Sequence, residues 1–153
     1  MRLTPARRSI LFLALVLVWI SAYAKDRVGQ SFSHTLISHS CAPWDGPALA
    51  LYLTSTPASC GKVEGPYLSI YIWRDLPANG PKTIVFKEGG DNGGASRCMK
   101  ANECERATSG RVSFSKFGEN GEVRGTYEFH FKDGSVEQGS FNAEWCHERI
   151  ICG

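Results

Sequence analysis

From Phe32 onward apolar residues recur at every second position rather than every third or fourth, and this period of two predicts a domain made of strands. The expected strands are 32–37, 48–54, 67–74, 82–87, 111–117, 123–132 and 136–145, bounded by clusters of Gly, Pro, Asn and Asp. No segment offers several turns of capped helix. The best short candidate is 99–106, inside a stretch, 88–109, that reads as one long loop. The fold class expected is all-β, a small antiparallel sandwich or partly closed barrel of about seven strands, stapled by disulfides.

Register can be argued in the C-terminal third. Asn120-Gly121 as a two-residue turn pairs Glu119 with Glu122 and sets Phe114 opposite Tyr127 and Val112 opposite Phe129. The next turn, at Asp133-Gly134, needs one residue more. A three-residue connection ending with Gly134 in the left-handed region, or a bulge at Gly139, brings Phe141, Ala143 and Trp145 onto the face of Tyr127, Phe129 and Phe131. The similarity of Gly125-Thr126-Tyr127 to Gly139-Ser140-Phe141 is too short to define a repeat. In 67–74 both faces are apolar, Tyr67, Tyr71 and Trp73 alternating with Leu68, Ile70 and Ile72, which predicts a central strand covered on both sides. Packing is the favoured role of those aromatics over a ligand-facing row.

The first 24 residues have another character: Arg2, Arg7 and Arg8, an apolar run from Ile10 to Ile20, then Ala22 and Ala24 around Tyr23. That order predicts an export signal cleaved after Ala24, because the run is well short of the roughly 20 residues a spanning helix needs. Residues 25–153 then form one exported domain, secreted or periplasmic, with no stable membrane anchor after cleavage. Losing three arginines takes the basic count from 17 to 14, against 15 acidic residues, so the working chain is near neutral. Nucleic acid is not an expected partner, since phosphate binding calls for a basic excess.

Six cysteines in an exported chain imply up to three disulfides. The pairs closest in sequence are the expected ones: Cys98–Cys104, Cys146–Cys152 and Cys41–Cys60. A metal site at Cys146, His147 and Cys152 is disfavoured, because no Cys-x-x-Cys pair occurs and an oxidising compartment favours bridges.

Signals of chemistry are sparse. The glycines of 88–109 lack a following Gly-Lys-Ser/Thr, and Asp91-Asn92-Gly93 lacks the spaced acids of a calcium loop. His34 and His39 fall on opposite faces of a strand, and His130 sits beside Glu128 and Lys132 on a polar face, across from Arg111. No Gly-x-Ser-x-Gly turn occurs, and the sequence nominates no catalytic residue, metal or cofactor. Trp44, on a turn between Pro43 and Pro47, is expected to cap the core; exposed, it would stack on a sugar ring or anchor a protein. The reading favoured is a non-catalytic secreted or periplasmic binding module, contacting a protein or glycan of the envelope through Trp44, Asp91, Asn92, Arg97, Lys100 and Arg106. The alternatives are a small envelope hydrolase with carboxylates from separate strands, and a purely structural accessory protein.

Overall fold

A computed structural model describes residues 32–74, 76, 82–100, 103–119, 121–147 and 150–152. Residues 1–24, expected to be an export signal, and Asn120 of the expected two-residue turn lie outside the described residues. Among the described residues there are nine strands: β1 (His34–Cys41), β2 (Pro47–Thr54), β3 (Tyr67–Ile72), β4 (Lys82–Lys87), β5 (Gly93–Lys100), β6 (Glu103–Arg106), β7 (Ser109–Phe117), β8 (Val123–His130) and β9 (Val136–Cys146). They form one sheet in the order β4-β7-β8-β9-β1-β2-β3-β5-β6. The all-β expectation holds, each of the seven expected strands is found, and β5 and β6 are additional.

Connectivity forces this sheet to curl. β6 ends the sheet on one side and β7 is next to last on the other, yet only Ala107 and Thr108 join them. A link of that length reaches about 10 Å, so the two ends of the sheet must be neighbours. Hydrogen bonds hold them there: Ala107 N–H donates to the Ala95 carbonyl at 2.9 Å, Thr108 N–H to the His130 carbonyl at 2.8 Å, and Asn92 Nδ2 to the Val85 carbonyl at 2.9 Å. The result is a half-barrel whose inward positions make one core. Ile37, Leu51, Leu53, Leu68, Ile70 and Ile72 supply an aliphatic side, and Phe86, Phe114, Tyr127, Phe129 and Phe141 an aromatic one.

The aromatic side is made possible by glycine. Across β7, β8 and β9, Gly110 pairs with Phe129, Gly125 with Phe141 and Gly139 with Tyr127. Each ring lies over the glycine opposite, and a methyl on Gly125 would stand 2.6 Å from Phe141 Cζ and 2.3 Å from the Ser113 carbonyl. The two Gly-x-aromatic segments thus lie antiparallel, each glycine under the other's ring, an arrangement that packs large side chains into a tightly curved sheet.

Registers agree in part with expectation. The β8–β9 connection is the three-residue form: Phe131 N–H bonds the Ser135 carbonyl at 3.0 Å and Gly134 has φ 77°. The β7–β8 hairpin differs, because Gly121 N–H bonds the Gly118 carbonyl and the ladder begins at Phe117 and Val123. A bulge at Ser115 follows, so Phe114 faces Gly125 and Val112 faces Tyr127. The slip of two residues keeps Val112 and Phe114 on their expected face, while the bulge turns Phe117 inward against Phe114, where the expected register set it on the polar face.

Two further expectations are corrected. Segment 88–109 is not a long loop, and 99–106 is not a helix: β5 and β6 form a hairpin there, pinned by Cys98–Cys104. Its glycines serve close approach, since Gly93, at φ 113°, would carry a Cβ 1.8 Å from the Tyr71 carbonyl of β3. The other disulfides are Cys41–Cys152 and Cys60–Cys146, joining residues 111 and 86 apart rather than sequence neighbours. The physical reason is the one parallel pairing of the sheet, which sets β1 beside β9 through Leu36–Glu144, Ile37–Trp145 and Ser38–Cys146. That seam is short, and both long-range disulfides bridge it.

Replacing Gly125 by Ala should lower unfolding free energy by about 1–3 kcal/mol through overpacking. Gly118→Ala, whose Cβ would meet nothing closer than 3.5 Å, should change it by less than about 0.5 kcal/mol. Urea unfolding of the two variants beside wild type checks both values.

Candidate functional site

Strand alternation separates the aromatics of β2 and β3 from the core. Leu68, Ile70 and Ile72 point inward and are fully buried, while Tyr67, Ser69 and Tyr71 point outward beside Tyr52 of β2. Tyr52 packs edge-on against both Tyr67 and Tyr71, with ring centroids 6.2 and 6.1 Å away, and the Tyr52 and Tyr71 hydroxyls are 2.7 Å apart. Burial first, then the bond to Tyr71, pushes the Tyr52 phenol far above its ordinary value, so it stays neutral.

The row continues into the β1–β2 turn. Ala42 N–H bonds the Gly46 carbonyl and Asp45 N–H the Ala42 carbonyl, with Asp45 in the left-handed region at φ 61°. Trp44 then folds back over Gly46, where a Cβ would stand 2.6 Å from the indole nitrogen, and meets Trp73 edge-on at 5.9 Å. Trp44 does not cap the core as expected: it is 58 % exposed and leans on another surface tryptophan. Half-buried Tyr67, Tyr71 and Trp73, with exposed Trp44, form an aromatic strip that the sequence reading assigned to packing. The signal for it was the apolar alternation of both faces of 67–74, in which the inner face alone satisfies the core.

The remaining residues nominated from sequence are dispersed. Arg106, on β6, is exposed on the strip's side of the sheet and lies over Gly94, with a Cβ on that glycine 3.1 Å from the guanidinium; Gly94 in turn pairs with Tyr71. Asp91 is exposed in the β4–β5 turn, and Asn92 is held there by Val85 and by a 3.4 Å bond from Arg74. Lys100 pairs with Glu103 at 3.4 Å near the β5–β6 tip. Arg97 faces the core rim instead: it binds Glu105 at 2.5 Å and Asp133 at 2.8 Å, donates to Ser135 Oγ at 2.6 Å and lies 4.3 Å from the centre of the Phe131 ring. It thereby bolts the β5–β6 hairpin to the β8–β9 turn. Trp44 and Arg106 flank one surface with Tyr71 and Trp73, and Arg97 is a structural ion pair.

On β8 and the turn before it, two acidic groups are paired with basic neighbours. Glu128 contacts His130 at 3.0 Å and Arg111 at 2.8 Å, and Glu122 pairs with Lys116 and Arg124. The His130 hydrogen bond, with Arg111 next, lowers the Glu128 pKa; the Lys116 hydrogen bond does so for Glu122. Burial raises the Tyr127 phenol to about 12. An open, hydroxyl-rich depression of about 910 Å³ includes Lys82 and Arg124, and no acid, histidine or cysteine is among the described residues of its lining. Among the described residues no group of three His, Cys, Asp or Glu is placed to hold a metal ion.

Comparison with family models, with curated proteins and with solved structures finds no match for this chain.

The bolt at Arg97 has a pH signature. Hydrogen bonds from Ser135 first, and from Arg97 after them, hold the Asp133 carboxyl well below its ordinary value. A depressed folded pKa contributes stability above the unfolded value of about 3.9, and that contribution is lost as pH falls through the acid range. Between about pH 5 and pH 2 the melting temperature of wild type should therefore fall more steeply than that of Asp133→Asn, followed by circular dichroism; equal slopes would show that the pair carries no linkage.

Proposed function

We propose that this domain is a non-catalytic binding module of an exported protein, and that its partner, a glycan chain or an extended polypeptide, lies across the outer face of β2, β3 and β5. One observation carries the reading: Trp44 stands 58 % exposed on a tight turn, edge-on to Trp73, where burial in the core would have been the ordinary fate of such a ring. Trp, Tyr and Arg are the side chains that concentrate binding energy, and Trp44, Trp73, Tyr71 and Arg106 lie along one face. Ser69 and Ser96 between them offer hydroxyls, Ser69 Oγ already donating to the Ser96 carbonyl at 3.2 Å. A row of side chains along one face suits a long partner that is touched along its length. Three disulfides are compatible with an oxidising compartment outside the cytoplasm, which supports export.

The test is tryptophan fluorescence titration of residues 25–153 with panels of soluble oligosaccharides and of unstructured peptides. The reading expects a ligand whose affinity falls at least about tenfold in Trp44→Ala and in Arg106→Ala, the usual cost of losing a buried anchor. It expects no change in Ser115→Ala, on the opposite half of the sheet. A ligand bound equally by all three variants would overturn it.

A further inference from the structure

The segment between β2 and β3 is a strap. Ser59 and Lys62 bond each other's backbone at 3.3 and 3.0 Å around a tight turn at Cys60-Gly61, with Gly61 at φ 75°. The Cys60–Cys146 disulfide fastens this tip to β9. Because β1 lies between β9 and β2 in the sheet, the strap crosses the outer face of both. The C-terminal tail is fastened on the same side of the seam by Cys41–Cys152.

A cavity of about 260 Å³ remains beneath these two segments. Leu36 and Ala50 make its floor, Val63 and Ile150 line it from strap and tail, and the rings of Tyr52 and Tyr67 close one end. Such a gap between an aliphatic strap and an aliphatic sheet would ordinarily close by packing. Here the strap is anchored covalently at its tip and by its two ends to β2 and β3, which keeps the space open and preorganised.

The polar groups on the wall define what fits. Ser38 and Ser40 reach the cavity, and neither hydroxyl bonds another described residue. Among the described residues no carboxylate, lysine or arginine lines it, and Tyr52 is neutral, so these walls offer a charged guest no counter-ion. The one imidazole on the lining, His39, stacks on Trp145 at 5.2 Å and faces Glu119 at 4.0 Å. A dry cavity of about 150 Å³ admits benzene, so this one has room for a second ring or a substituent. We propose that the strap cavity binds a small neutral phenol or aryl alcohol, its hydroxyl on Ser38 and Ser40 and its ring against Leu36, Val63 and Ile150. The site is separate from Trp44 and extends the function beyond the outer-face partner.

The experiment is isothermal titration of oxidised 25–153 with 2-naphthol and, in parallel, with 2-naphthoate. Saturable one-to-one binding of the naphthol is expected, at least about tenfold tighter than the naphthoate. Val63→Trp fills the space from the strap and should abolish binding while the melting temperature is kept. The double variant Cys60→Ala, Cys146→Ala frees the strap and should weaken binding in a chain shown to be folded by circular dichroism. Trp44→Ala should bind as wild type does, which keeps this inference apart from the outer-face reading. Absence of saturable naphthol binding, naphthoate bound equally well, or binding untouched by Val63→Trp would each overturn the proposal.

Discussion

Everything else in this fold leans on the seam between β1 and β9. Among the described residues it is the only parallel contact in the sheet, it pairs only Leu36 to Ser38 with Glu144 to Cys146, and it joins two halves that are otherwise antiparallel. Parallel pairing is slightly less stable per residue than antiparallel pairing, and here it closes a loop of more than a hundred residues. The two disulfides that span it remove that closure entropy from the unfolded chain, by about 4 kcal/mol each in the chain-entropy account. They also decide what covers the outer face of β1 and β2, since strap and tail are fastened by the same bonds.

Curvature is the second constraint, and it acts on both faces. The two-residue link from β6 to β7 requires the ends of the sheet to meet, and glycines at 110, 125 and 139 make room for the rings that fill the tightly bent inner face. Arg97 secures the closure by spanning from β5 to the β8–β9 turn, at a rim where its charge keeps partial access to water. Curling also frees part of the outer face from the demands of the core. Inward positions satisfy the core, so the aromatics that point out from β2, β3 and the β1–β2 turn are not needed for it. Covalent straps cover the part of that face nearest the seam and leave the part nearest β5 and β6 open. The two binding surfaces inferred here are the two sides of that division.

Local pattern alone determined a good deal. Alternation located the seven strands from β1 to β4 and β7 to β9, because a period of two is imposed by the pleat itself. A three-residue turn ending at Gly134 was legible as one of two ways, a bulge at Gly139 being the other, to set Phe141 and Ala143 on the face of Tyr127. Cys98 and Cys104 were legible as partners since a single hairpin brings them together. What the tertiary structure decided is whatever depends on residues far apart. β5 and β6 carry glycine, serine and charge where strands usually carry branched apolar residues; they are strands because β3 offers an edge, and their glycines admit its backbone. The long-range disulfides follow from the adjacency of first and last strands, a property of sheet order that no local spacing encodes. The exposure of Trp44 was likewise set at a distance, by Trp73 waiting just beyond β3 and by Gly46 leaving the indole a place to lie. Side-chain alternation is a short-range consequence of backbone geometry, whereas the seam, the strap and the aromatic strip arise only once chain closure has brought distant segments into contact.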